Sequence, residues 1–304
     1  MKPVSIIFLI VSVALALTGL VTMRIAEGIG AREGIEIVAE TTENGDSVFT
    51  YDFAQDSIGK ISLNITDADV NIIGGAEKPY IELINFADGL YEFSSANRML
   101  TVSDRTDLQN IDGVAAFAMN FKGLRGLVNY VNVRGREKTV NIYLSEKYPV
   151  NIIYCSLDSG HIVAGGSSSK TDYEFAVGKG SVTISGIKTD SAVTLKIKDG
   201  SASLENCRVG IFTVEDSEKC PIEIVSSEIR NMNVETGEGD LRLGSVGSLM
   251  SVRLDLFTSV GSIRLNGEEK GGYYESQTPT DEVYKVTLGK GDIVMNSNMP
   301  SSGE

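Results

Sequence analysis

GKGSVTISG, residues 178–186, is a glycine-marked corner running into a short alternating strand, and near-copies of it return along the chain. They are DSGHIVA (158–164), KDGSASL (198–204), KCPIEI (219–224), GEGDLRL (237–243), SVGSIRL (259–265) and GKGDIVM (289–295). The corner markers are Gly160, Gly180, Gly200, Cys220, Gly239, Gly261 and Gly291, at first about twenty residues apart and then more widely spaced. Two and four places after each marker stand Ile162/Ala164, Val182/Ile184, Ala202/Leu204, Ile222/Ile224, Leu241/Leu243, Ile263/Leu265 and Ile293/Met295. All are apolar, and the residues between them are mostly polar or small, which is the period of a strand with one buried face.

Five and three places before the marker lie a second inward pair, Cys155/Leu157, Phe175/Val177, Leu195/Ile197 and Val286/Leu288, kept less cleanly before Cys220 and Gly239. Such a repeat cannot bury its own apolar face, whereas stacking one copy on the next makes a continuous core. The spacing therefore predicts an all-β fold, a single-stranded β-helix or solenoid with rungs of about twenty residues. A sandwich of hairpins is the competing arrangement, because turn-flanked alternating runs also signal hairpins. The template is met again upstream with Ala68 as marker, where Leu63/Ile65 precede it and Val70/Ile72 follow.

The stretches LNITDADVNIIGGAEKPYIELINF (63–86) and TVNIYLSEKYPVNIIYCSLDSGHI (139–162), followed by the glycine-marked repeats, resemble the bacterial putative-adhesin family, domain of unknown function 4097. The resemblance implies a β-helix-like domain, often exported or membrane-attached and sometimes linked to envelope-stress systems. It implies no catalytic residues.

The chain has 304 residues, and one solenoid can use most of that length because repeats add without enlarging a globular core. The amino terminus places Lys2 before an uncharged apolar run, residues 4–23, long enough to cross a bilayer as a helix. The organisation expected is an N-terminal membrane anchor or uncleaved signal (1–24), a linker with first strands (25–56), the solenoid (57–296) and a disordered tail (297–304). The bulk of the chain is then extracytoplasmic, on a cell membrane crossed once.

A net charge of −14 argues against nucleic acid, whose phosphates reward clustered Lys and Arg. Residues 107–138 form an apolar and basic insertion. Ile111, Val114, Phe117, Phe121, Leu124, Val128 and Val131 recur at helical spacing, and Lys122, Arg125, Arg134, Arg136 and Lys138 add positive charge. This is either a cap over the solenoid or a membrane-surface element, with Phe117, Phe121, Lys122, Arg125, Arg134 and Arg136 as the lipid or partner surface.

The single histidine, His161, sits beside a corner and reads as an outward side chain, which disfavours a Ser-His-Asp triad or a multi-histidine zinc site. The cysteines, Cys155, Cys207 and Cys220, occupy different positions of the rung and need not meet. The visible acidic clusters, Asp67/Asp69 and Glu215/Asp216/Glu218, read as solvated loop charges. GEGD and GKGD lack the nine-residue recurrence of a calcium roll. No cofactor or metal is called for. Three functions are compatible with this reading: a non-catalytic surface or interaction protein with an envelope polymer or protein as partner, a polysaccharide-active β-helix enzyme, and a self-associating structural solenoid. Tyr273 and Tyr274 are the visible aromatics for sugar stacking in a chain without tryptophan.

Overall fold

The computed structural model describes residues 38–41, 46–86, 91–104, 135–166, 170–245 and 247–297. The strands are β1 (Val38–Thr41), β2 (Ser47–Asp52), β3 (Lys60–Asp67), β4 (Asp69–Ile73), β5 (Tyr80–Ile84), β6 (Tyr91–Ala96), β7 (Met99–Asp104) and β8 (Thr139–Tyr143). The long repeat strands follow: β9 (Ile152–Gly165), β10 (Asp172–Ser185), β11 (Lys188–Glu205), β12 (Arg208–Lys219) and β13 (Ile222–Glu238). The chain closes with β14 (Leu241–Ser245), a short 3-10 turn (Leu249–Ser251), β15 (Arg253–Val260), β16 (Ile263–Leu265), β17 (Glu268–Gly271), β18 (Tyr273–Glu275), β19 (Val283–Lys290) and β20 (Ile293–Ser297).

The repeats are rungs of a parallel stack. Gly160 pairs with Gly180 and Gly180 with Gly200, and on either side Cys155, Phe175 and Leu195 form one ladder while Ile162, Val182 and Ala202 form another. Hairpins in a sandwich would pair these strands antiparallel, so the register excludes that arrangement. The strand turns at the glycine, and the apolar sets before and after it enter one core in which Phe175, Leu195, Val214, Val234 and Val286 are at most 1% exposed. Cys155 is in that core and Cys207 stacks in the column of Ile187, as Lys188 pairing with Arg208 requires; Cys220 is buried at its corner.

The imperfect rungs have a local remedy. Leu195 stacks on Val214 rather than on Glu215, and the ladder then shifts between Val214 and Ser217, a β-bulge in which Asp216 takes φ 52°. Ser217 Oγ enters the core and accepts the Ile197 amide at 3.1 Å, replacing the ladder bond that the bulge removes. Ser227 does the same for the Cys207 amide at 3.0 Å. These hydroxyls are buried but bonded, so they carry little desolvation penalty.

Rung order departs from chain order at the C-terminal end. The rung marked by Gly291 stacks directly on that of Gly239, through Leu241 with Ile293 and Glu238 with Lys290. The Gly261 rung comes after it, through Ile263 with Ile293 and Val260 with Lys290. Strands β17 and β18 then pair antiparallel with β16 and β15 and cover the last rung. The charge ladder at the corner suits this order: Lys179, Asp199, Lys219, Glu238 and Lys290 alternate in sign along the stack, and Lys290 Nζ lies 3.0 Å from Glu238.

The other end begins at the Ala68 rung, where Val70 pairs with Ile162 and Leu63 with Cys155. Beyond it β7 and β8 add parallel strands, and antiparallel pairing follows: β6 on β7, β5 on β8, β2 on β5 and β1 on β2. The β6–β7 turn places both Asn97 and Arg98 at positive φ, as a tight two-residue hairpin needs. Aromatic side chains fill this end, with Tyr51 edge-on to Phe93 at 4.8 Å and Tyr91 against Phe49 and Phe86.

The expected anchor (1–24) and most of the insertion (residues 107–134 of 107–138) lie outside the described residues. Among the described residues no helix is long and apolar enough to cross a membrane.

Candidate functional site

Outward side chains at the N-terminal end form two rows in register across β4, β8, β5 and β2. One row is Ile73, Tyr143, Tyr80 and Asp52, and the next is Asn71, Asn141, Glu82 and Thr50. Alternation along each strand sends these residues out while Val70, Ile72, Val140, Ile142, Ile81 and Leu83 point into the core. The rings of Tyr80 and Tyr143 stack at 4.1 Å between centroids with planes 12° apart. In the second row Asn71 Nδ2 donates to Asn141 Oδ1 at 2.9 Å, and Asn141 Nδ2 donates to Glu82 Oε2 at 3.1 Å. Burial, and after it the charge of Glu82, pushes the Tyr143 hydroxyl up to about 12, so it remains a neutral donor throughout the physiological range.

The loop from Gly74 to Lys78 rises beside the first row and turns it into a groove of about 650 Å³, lined also by Thr50, Asp52, Tyr80 and Tyr143. Gly75, at φ +84°, makes the turn at the groove wall, and a Cβ there would meet open space. Asp52, Glu77 and Lys78 stand exposed around the groove, while Tyr80, Tyr143 and Thr50 are half-buried.

Of the expected lipid or partner surface, Phe117, Phe121, Lys122, Arg125 and Arg134 lie outside the described residues. Arg136 is described, and its Nη1 lies 2.7 Å from Asp46 Oδ1. That guanidinium, more than the Asn85 amide that also meets it, holds the Asp46 carboxyl below its ordinary range.

The acidic clusters are engaged with the rungs. Asp67 accepts from Ser159 Oγ at 2.9 Å and Asp69 from the His161 amide at 3.0 Å. Lys196 Nζ bridges Glu215 at 2.9 Å and Asp216 at 3.4 Å. Asp240 accepts the Asp292 amide and Asp292 the Ser262 amide, so corner carboxylates repeatedly fasten one rung to the next. His161 is exposed, with Nδ1 2.7 Å from Ser181 Oγ. Tyr273 is 57% exposed and donates to Glu275 at 2.9 Å, and Lys270 lies over the Tyr274 ring at 5.9 Å. Sequence reading picked out Tyr273 and Tyr274 but missed Tyr80 and Tyr143, which are distant in the chain and meet only through the β5–β8 pairing.

The family model described as Toastrack DUF4097 matches residues 58–296, the whole parallel stack from the end of the β2–β3 connection to β20. The chain belongs to the Toastrack DUF4097 family. This Toastrack chain is also similar to solved structures. One is a "putative adhesin" from Bacteroides fragilis NCTC 9343, at 12% identity and a TM-score of 0.48, covering 82% of this chain and 96% of that one. Another is a "putative cell adhesion protein" from Clostridium sporogenes ATCC 15579, at 15% identity and 0.37, covering 83% and 99%. A third is a "putative lipid binding protein" from Parabacteroides distasonis ATCC 8503, at 11% and 0.39, covering 84% and 97%. No curated protein matches the Toastrack chain.

Proposed function

We propose that this Toastrack protein is a membrane-anchored, extracytoplasmic surface protein that acts by presenting its solenoid to a partner, without catalysis. The observation that carries the reading is the use of its carboxylates. Asp67, Asp69, Asp240 and Asp292 accept hydrogen bonds from neighbouring rungs, and Glu215 and Asp216 hold Lys196, so the clusters that general acid–base chemistry would draw on are fastening the stack. What the fold offers to its surroundings is extended outer faces of side chains at the strand spacing of about 4.8 Å. The apolar run at residues 4–23 supplies the means of attachment, and the basic insertion, with Lys122 and Arg125, supplies a second contact with anionic headgroups.

The test is fractionation and protease shaving of cells that express the full chain. The protein should stay with membranes through alkaline carbonate and be cut by protease added to cells stripped of their wall, while a cytoplasmic marker stays intact. Release by carbonate, or full protection in the presence of cut surface markers, would overturn the proposal.

A further inference from the structure

The groove over Tyr80 and Tyr143 has a composition that selects its ligand. Its floor is uncharged: two stacked phenol rings, Ile73 and Thr50. Its charges, Asp52, Glu77 and Lys78, are of both signs and exposed. Three carboxylates in or beside it, Asp52, Glu77 and Glu82, repel a phosphate or another anion, which removes nucleotides and phospholipid headgroups. The Lys78 ammonium offsets one of these carboxylates, and a polycation is the rival occupant that the spermidine arm below tests. An acyl chain needs more continuous apolar surface than two rings and one isoleucine provide. A neutral polyhydroxylated ligand meets none of these objections. Its C–H groups pack on the ring edges and Ile73, and its hydroxyls both donate to carboxylates and accept from an ammonium or amide.

The geometry fits such a ligand in two further respects. The rings cover each other's facing sides, and along the row their outer sides meet Ile73 and Asp52, so the groove receives ring edges set between an apolar side chain and an acceptor. The neighbouring row of Asn71, Asn141 and Glu82 is already hydrogen-bonded into one orientation, which lowers the ordering cost of receiving hydroxyls. The groove is open along the sheet, a shape suited to a segment of an extended polymer rather than to an enclosed metabolite.

We infer that the Tyr80–Tyr143 groove is a binding site for a neutral saccharide chain. This deepens the surface-presentation reading and rests on it for the supply of an envelope polymer; the binding test itself does not depend on membrane attachment, so either can fail alone.

The experiment uses the full chain in detergent micelles and three neutral probes, chitotetraose, cellotetraose and mannotetraose, with spermidine as the cationic control. Saturation-transfer NMR reports contact, and intrinsic tyrosine fluorescence reports affinity in a protein without tryptophan. At least one tetrasaccharide should bind, and Tyr80→Leu should weaken it by about tenfold, the loss expected when one ring contact is removed. Asp52→Asn, at an exposed position that leaves the core intact, should weaken it severalfold with an unchanged melting curve, and it carries the test if Tyr80→Leu fails to fold. Transfer to none of the three at millimolar concentration would overturn the inference. So would equal affinity in wild type and Asp52→Asn, or binding of spermidine in place of the sugars.

Discussion

The glycines of the opening stretch differ in what surrounds them, and alanine substitution should separate them sharply. Gly186 has φ +67°, and a Cβ there would have nothing within 4 Å. Its equivalents one and two rungs on are Asn206 at φ 53° and Ser226 at φ 50°, so the position needs a left-handed backbone but not a glycine. Gly186→Ala should therefore lose only the left-handed penalty, about 1–2 kcal/mol, and Gly186→Asn less. Gly180 has φ +146°, and a Cβ there would stand 1.8 Å from the carbonyl oxygen of Gly160. To reach 3.0 Å the two rungs must separate at the corner by more than about 1 Å, which breaks ladder hydrogen bonds on both sides of it. Two buried backbone groups left unmade cost about 1–3 kcal/mol each, and the strained φ adds about 1–3 kcal/mol. The sum is about 3–9 kcal/mol. At about 2–4 °C per kcal/mol for a domain of this size, Gly186→Ala should melt about 2–8 °C low and Gly180→Ala about 6–36 °C low. Far-ultraviolet circular dichroism during heating measures both. Melting of Gly180→Ala within about 2 °C of Gly186→Ala would refute the close-corner account.

Three other outcomes follow from the same stack. Deleting residues 181–200 joins Gly180 to Ser201, the register equivalent of Ser181, and should leave a folded, less stable protein; deleting only 181–190 should do more damage by putting every later strand out of register, as dichroism and melting would show. A better-folded half-repeat deletion would contradict parallel stacking. Cys155, Cys207 and Cys220 are buried, unpaired thiols, so Ellman titration without reductant should find all three in denaturant and almost none in the native protein; a denatured count of one would disprove it. Burial pushes Cys220, Tyr173 and Tyr284 up to about 12. Between about pH 8 and 12 the unfolded chain gives up protons that the folded chain keeps, so stability should be nearly flat from about pH 6 to 8 and fall as pH rises through this window. Urea midpoints measured from pH 7 to 11 that do not fall above pH 9 would count against it.

Much of the stack was legible because its cause is periodic. A residue at a fixed offset from the corner has the same environment in each rung, so Val182, Ile184 and Phe175 report their burial by position, and Ala68 identifies a rung although it is not glycine. Corner burial of Cys220 follows from the same column. The anchor and the basic insertion around Lys122 are read from the sequence as well, by hydropathy and charge, and lie outside the described residues.

Local pattern therefore sets the unit: two short strands, a tight corner and the identity of the inward side chains, all fixed by interactions within about twenty residues. Which unit lies beside which was decided by the tertiary structure. Similar apolar columns would accept the Gly261 rung or the Gly291 rung on top of Gly239, and local pattern does not distinguish them. Only the long-range pairing shows it: Lys290 sits beside Glu238 in the alternating charges, and the segment through β17 and β18 returns to cover the end. The candidate site is a product of the same level. Tyr80 and Tyr143 come from strands on either side of the β6–β7 hairpin and the insertion, and only their antiparallel register brings the two rings to 4.1 Å.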